Sequence, residues 1–545
     1  METFNPAPEK SGRLSYNEKI PWLVLLVLAA LLRLGPIASN LPYIDYVDEG
    51  HILHPAIGLL KQKSFDSSVY TYPPLTSYLI VLAAKAYAPL YRLAHHHKLA
   101  NDLPADQDFN TALGEQYDLI TPPEIIWLGR LIVALLSVGT VVVAGALGRL
   151  LGGARTGLLA MLLVALCPAL VSRASNLVID TTTSFFAVLA LYFCQRLRLA
   201  AASPPRRLWL FFSVLAGAAS GLAFAGKYTA GAVFAAVLMT IFTIPVAWKS
   251  KVTLVLIAGA GLLAGIFCGV PGAILHPAKI VGELRGISRF YHAVQTDHGY
   301  WITALSGWEI GVPLMIAGLA GLVWMIRNAP TRLVVLSWIA FGLLLVSAVV
   351  WSSFQPFRNV LSLVPPLCLA AALFLVRAGQ YLEQRFGLGA LHGWLASGLI
   401  ALVAGSLGWF SLLHLERRTT SIDTRIRAID WLQQHSTKEQ TVLGIRELAI
   451  LPAEWKRIAA NSVVVPWFEA ADLLGQRHFD YIVTGEFDLR YAPNPTAWSA
   501  YLDRWKASIA ALPVERNFGQ VVTPVVPYLW RTNDERILIL NGKAP

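Results

Sequence analysis

Two acidic residues side by side, Asp48-Glu49, stand in the run Tyr43-Ile44-Asp45-Tyr46-Val47-Asp48-Glu49-Gly50-His51, just after the first long apolar stretch. Adjacent carboxylates at a membrane boundary repel each other and lose hydration. A carboxylate held there can take the proton of an acceptor hydroxyl. The same residues also suit a solvated helix N-cap. Asp180, in Ser172-Arg173-Ala174-Ser175-Asn176-Leu177-Val178-Ile179-Asp180, carries the same two readings. It can orient a hydroxyl or a cation, or it can cap a helix beginning at Thr181. The turns Gly226-Lys227-Tyr228-Thr229 and Gln355-Pro356-Phe357-Arg358-Asn359 each present a cation, and Arg173 is a third. A phosphate needs such donors, and arginine grips it bidentately; snorkelling to lipid headgroups is the competing use, for these residues and for Arg285 and Arg289. In Thr71-Tyr72-Pro73-Pro74-Leu75 the prolines stiffen the chain and can start a helix, or mark a plain turn.

Asp48, Glu49, His51 and His54 are close in sequence. A divalent metal held by Glu49, His51 and His54 is therefore a possible cofactor, and no other cofactor is indicated. His95-His96-His97 is a weaker signal, because adjacent imidazoles rarely chelate one ion. Cys167, Cys194, Cys268 and Cys368 lie apart inside apolar runs and read as small core residues. There is no Walker loop and no dinucleotide fingerprint. A group donor must come from elsewhere, and a membrane lipid is the obvious source.

The elements that must position these residues are membrane helices. Of 545 residues, 55% are hydrophobic and 14% charged, against about 25% charged in soluble domains. This excludes a disordered chain, a fibre and an ordinary cytosolic enzyme. The net charge of +11 suits the basic cytoplasmic loops of a membrane protein better than a nucleic-acid partner. Stretches long enough to span occur near 21–39, 125–148, 156–172, 181–199, 208–225, 229–247, 252–272, 309–326, 333–351, 359–376 and 391–413, eleven in all. The polar start through Lys19 and the ending Arg33-Leu34-Gly35-Pro36 show no cleavage site, so the first span is expected to stay.

Tyr72 to Leu93 contains three prolines and Lys85 and reads as an interfacial helix. Without it as a span, the inside loops collect twelve Lys and Arg and the later outside turns six. Counting it would invert that bias, so the N-terminus is expected in the cytoplasm. Residues 40–124 then form one external loop, with a hydrated middle bearing Asp102, Asp106 and Asp108. Asp180, Lys227, Arg358 and the polar stretch from 415 onward share its side. In that stretch the β-rich runs Thr441 to Ile445, Ser462 to Val465 and Tyr481 to Thr484 alternate with helical patterns such as Asp423 to Gln434, which predicts a small α/β domain. No internal repeat is visible.

In their order, sidedness and spacing these features resemble the GT-C fold membrane glycosyltransferases, in particular the family of protein O-mannosyltransferases and aminoarabinose transferases. The matching residues are Asp48-Glu49, Tyr72-Pro73-Pro74-Leu75, Asp180, Lys227-Tyr228-Thr229, and Arg358 before Val364-Pro365-Pro366-Leu367. The stretch Asp423-Thr424-Arg425 through Ala428 to Trp431-Leu432 resembles the opening of the soluble domain of bacterial relatives. Where aminoarabinose transferases have Lys before the proline pair this chain has Tyr72, so an aminoarabinose donor is not supported.

The resemblance implies a mainly α, polytopic GT-C domain over 1–414 and a periplasmic α/β domain over 415–545. It implies transfer of a hexosyl or pentosyl group from a polyprenyl-phosphate donor to a lipid, glycan or protein hydroxyl, with inversion, at the periplasmic face of the inner (plasma) membrane. Asp48, Glu49 and Asp180 become the expected catalytic group. Lys227, Arg358 and Arg173 become the phosphate grip, and Tyr72, Pro73 and His54 line the donor/acceptor pocket. Membrane lipid is the remaining partner, and no nucleic acid is expected. A transporter or lipid flippase is the alternative. It predicts repeat symmetry and mid-membrane charges rather than a cluster at one face.

Overall fold

The computed structural model describes residues 16–44, 47–62, 66–67, 70–101, 123–202, 205–293, 304–350, 357–386, 390–448, 450, 452–458, 460–485, 495–519 and 536–542. Asp45, Asp102, Asp106, Asp108 and Gln355 lie outside them.

The chain begins with α1 (Tyr16–Leu34), turns through 35–43, and enters α2 (Val47–Gln62), whose first turn carries Asp48 and Glu49. The proline pair precedes α3 (Leu75–His95), with Pro74 at its N-cap. Next come α4 (Pro123–Gly152), α5 (Ala154–Leu166), α6 (Pro168–Ala174), α7 (Ile179–Ala201) and α8 (Arg206–Gly226). Among the described residues seven helical stretches are long and apolar enough to span: Pro123–Gly152, Ile179–Ala201, Arg206–Gly226, Trp248–Gly269, Ala329–Val349, Phe357–Gln384 and Trp394–His435. The pair α5 and α6, bent by 57°, makes an eighth if it counts as one span. The count of eleven is not reached by this measure, for local reasons. The 229–247 stretch opens as a 3-10 turn over Tyr228–Val233 and is α-helical only over Phe234–Thr243. The 309–326 stretch becomes helical at Gly311, and α1 gives way to turns after Leu34. Helix α3 is not among the candidate spans.

Helix α8 and the helix Trp248–Gly269 meet through facing small residues. A Cβ on Gly217 would lie 2.0 Å from Ala258 O, and one on Gly261 would lie 2.3 Å from Val214 O. Small residues allow this backbone approach, and helix association in lipid depends on such packing.

Among the described residues the C-terminal sheet has five strands. β1 (Thr441–Ile445) pairs in parallel with β2 (Asn461–Val465) and with β3 (Tyr481–Gly485). β5 (Ile537–Asn541) is antiparallel to β3, and β4 (Val514–Phe518) is antiparallel to β5. Val442, Leu443, Ile482 and Ile539 join Trp467 and Trp505 in its core. The helix Thr424–His435 begins at Asp423, whose carboxylate accepts the Arg425 N–H at 2.8 Å. Arg425 also donates to Ile44 O at 3.2 Å and lies 4.1 Å over the Tyr43 ring. The sheet region is thereby tied to the segment just before Asp48.

Candidate active site

Asp48 is buried in the first turn of α2, where the helix dipole favours a carboxylate. Its Oδ1 accepts the Tyr72 hydroxyl at 3.0 Å, and its Oδ2 pairs with Arg358. Arg358 and Asn359 lie on the 3-10 turn Phe357–Leu363. Asn359 Oδ1 accepts Lys227 Nζ at 2.7 Å, and the same ammonium donates to Asp180 Oδ1 at 2.6 Å. Tyr72, Asp48, Arg358-Asn359, Lys227 and Asp180 thus form one connected network drawn from five distant stretches. It is not a solvated surface feature, because Asp48 is 6% and Asp180 3% exposed.

Local structure explains the convergence. Lys227 is the extended residue that ends α8, and a Cβ on the preceding Gly226 would lie 2.7 Å from Thr183 Oγ1. Glycine there lets α8 close on α7, one turn from Asp180. Burial lowers the Lys227 pKa, and the adjacent Asp180 carboxylate opposes that shift. The N-cap readings of the two aspartates are corrected: α2 starts at Val47, and α7 starts at Ile179 behind Val178, so both side chains belong to first turns and face cations.

Glu49 has a different fate from its neighbour. It is fully buried, and Arg130 of α4 grips both its oxygens at 2.8 Å, while the Leu177 N–H donates to Oε1 at 2.9 Å. Arg130 also donates to Ser39 O at 2.8 Å and Tyr43 O at 3.3 Å, so one guanidinium holds the turn that leads into α2. The suggested metal set of Glu49, His51 and His54 does not fit this geometry, since both Glu49 oxygens are taken by Arg130. Among the described residues no group of three or more His, Cys, Asp or Glu is arranged to hold a metal.

Arg173, expected in the phosphate grip, is engaged by a carboxylate. Its two terminal nitrogens each meet an oxygen of Glu309 at 2.7 Å, inside the protein. Its guanidinium also lies 5.8 Å over the Phe357 ring, beside Arg358. His51 stacks on Tyr72 with ring centres 5.0 Å apart and planes 7° apart, one helical turn from Asp48. Burial depresses the His51 pKa and brings that of His54 down to about 4, which favours neutral imidazoles. Pro73 is buried at the entry to α3. Arg285 and Arg289 are exposed on the helix Pro277–Ala293.

Arg130 and Glu309 were missed by sequence reasoning. Each stands in or at the edge of an apolar run, where a charge is costly unless paired. That cost was the available signal.

The arrangement joins a buried carboxylate that can accept a proton to two cations that can hold an anion, in a chain with the GT-C fold. Residues 62–281 match the model of the family described as dolichyl-phosphate-mannose-protein mannosyltransferase. The structure is similar to that of ArnT from Cupriavidus metallidurans in the apo state, at 14% identity and a TM-score of 0.55, covering 96% of this chain and 98% of that one. It is also similar to ArnT of the same organism bound to undecaprenyl phosphate, at 15% identity and a TM-score of 0.52, covering 95% and 98%. The Archaeoglobus fulgidus oligosaccharyltransferase tethered to an acceptor peptide is 13% identical with a TM-score of 0.51, covering 93% of this chain and 73% of that one. A search of the curated proteins finds no match. The protein is a multi-pass membrane protein, and the comparisons give no support to the transporter alternative.

Proposed function

We propose that this protein transfers a hexosyl or pentosyl group from a polyprenyl-phosphate donor to an acceptor hydroxyl, with inversion. The observation that carries the reading is the Asp48 carboxylate between Tyr72 and Arg358, one residue along the chain from the Asn359–Lys227–Asp180 contacts. Asp48 takes the proton as the acceptor oxygen attacks C1 of the sugar. The C1–O bond breaks, and the electron pair leaves with the polyprenyl phosphate. The leaving phosphate gains charge in that step, and fixed cations lower the barrier for such charge; one lost donor of this kind costs about 2.7–4 kcal/mol. Arg358 and Lys227 supply the cations. A donor phosphate competes with Asp48 for Arg358, so donor binding releases the base for the acceptor.

Asp180 orients Lys227, and Tyr72, Pro73 and His54 border the pocket. Glu49 acts indirectly by fixing the start of α2, and Arg173 by bracing the 3-10 turn that carries Arg358. The chain divides into a membrane catalytic domain over 1–414, with its external loop 40–124, and an external α/β domain over 415–545. The site works on the periplasmic side of an inner membrane in this reading, and the excess of Lys and Arg in the opposite loops supports its external sidedness.

Purified protein in lipid, offered a panel of radiolabelled polyprenyl-phosphate sugars, should turn over at least one. Asp48→Asn should reduce that rate by about 10²–10⁴-fold, the range for loss of general-base catalysis. No transfer from any lipid donor, or normal turnover by Asp48→Asn, contradicts the proposal.

A further inference from the structure

Glu283 lies outside the network just described, on the helix Pro277–Ala293. Its Oε2 accepts the Tyr70 N–H at 2.6 Å and the Thr71 hydroxyl at 3.2 Å. The carbonyl of the same Tyr70 accepts the Tyr228 hydroxyl at 2.9 Å. Tyr70 is therefore held from both sides, two residues before Tyr72, whose hydroxyl reaches Asp48. Tyr228 directly follows Lys227 in the chain. The Tyr70 peptide is thus linked along the chain to Tyr72 and Asp48, and through the Tyr228 hydroxyl to the residue beside Lys227.

The Tyr70 side chain reinforces the anchor. Its ring is fully buried against Gly272, where a Cβ would lie 2.2 Å from the ring. Its hydroxyl pairs with Asp66, which also meets His276 Nε2 at 3.3 Å. Lys279 Nζ lies 5.4 Å from the ring centre. The stretch from Gly272 to Glu283 thus holds Tyr70 at its backbone and ring face, while Asp66 takes its hydroxyl.

We infer that Glu283 is a positioning residue: by fixing the Tyr70-Thr71 backbone it sets the Tyr72 hydroxyl on Asp48 and so orients the proton-accepting carboxylate. The inference deepens the proposed transferase reading and rests on it for its effect on rate, but the placement of residues 70–72 can be measured without turnover. One carboxylate oxygen receives both donors, and a glutamine carbonyl can receive both as well. Glu283→Gln should therefore preserve the placement, and Glu283→Ala should lose it.

The test combines hydrogen exchange with initial rates on the full-length protein in lipid, using wild type, Glu283→Gln, Glu283→Ala, Tyr72→Phe and Tyr72→Phe with Glu283→Ala. Loss of a hydrogen bond to a charged acceptor should speed exchange of the peptide containing the Tyr70 amide roughly tenfold or more in Glu283→Ala. Glu283→Gln should restore wild-type exchange. With the donor identified by the panel above, Glu283→Ala should lower kcat about tenfold and leave the donor KM within about twofold, as for a group acting on the transition state alone. In the Tyr72→Phe background it should lower kcat no further. Unchanged exchange in Glu283→Ala, a loss carried by KM, or losses that multiply in the double variant would each overturn the inference. If the wild-type protein transfers no sugar, the transferase reading falls, and the exchange comparison alone decides whether Glu283 holds this segment.

Discussion

Asp48 and Glu49 show how far one position along a helix can separate two identical chemistries. Glu49 faces α4 and is closed off by Arg130 and the Leu177 N–H, whereas Asp48 faces Tyr72 and Arg358. The sequence made the acidic pair, Asp180, Lys227 and Arg358 legible, because charges beside apolar runs demand a reason. It did not show which carboxylate is locked, since Arg130 lies 81 positions from Glu49. Nor did it show that Arg173 spends its guanidinium on Glu309, 136 positions away. Removing one partner of a fully buried pair leaves an uncompensated charge. Arg130→Met should therefore destabilise the protein by about 3–5 kcal/mol, and pairing it with Glu49→Leu should recover much of the loss. Thermal unfolding in detergent checks this; a double variant no more stable than Arg130→Met would contradict the locking role.

At the scale of elements, the break between α5 and α6 is as informative as any intact helix. Pro168 has no N–H, so the Val164 carbonyl loses its helical donor. Arg33 of α1 supplies replacements, donating to Val164 O and Ala165 O, each at 2.9 Å. The Ala169 N–H turns instead to Glu309 O at 2.9 Å, and Ser411 Oγ donates to Leu166 O at 2.8 Å. The 57° bend thus has its freed carbonyls satisfied from two other segments and its freed Ala169 N–H from a third. Each buried acceptor left without a donor costs about 1–3 kcal/mol. Arg33→Met should therefore lower the melting temperature; an unchanged melting temperature would show that the bend does not need Arg33.

Sequence reading found the stretch but not its bend, because Cys167-Pro168 lies within an unbroken apolar run. In the sheet, β1, β2 and β3 were legible as β-branched runs. β4, with the polar sequence Val-Glu-Arg-Asn-Phe, and β5 were not; β4 draws its strand identity from pairing with β5 rather than from its own pattern.

For the whole molecule, the legible part was the membrane-helix architecture and the expectation that the charged turns share one end. That expectation followed from the loop-charge bias, and the Lys227–Asp180 and Arg358–Asp48 contacts are what it requires. The docking of the C-terminal region was not legible. It depends on Arg425 reaching Ile44 and Tyr43 across 381 positions. Through that contact and the Arg130 clamp, the approach to α2 is held from the membrane side and from the sheet side, and Asp48 begins where both holds end.

The central claim is that a proton acceptor and a phosphate grip share this one cluster, and equilibrium binding of the polyprenyl-phosphate sugar donor tests it most directly. Arg358→Ala should weaken donor binding about tenfold or more, the worth of a charge-assisted contact. Asp48→Asn should bind the donor at least as tightly as wild type, because its Arg358 is no longer engaged by a carboxylate. Donor affinity unchanged in Arg358→Ala, or lost in Asp48→Asn, would contradict the account.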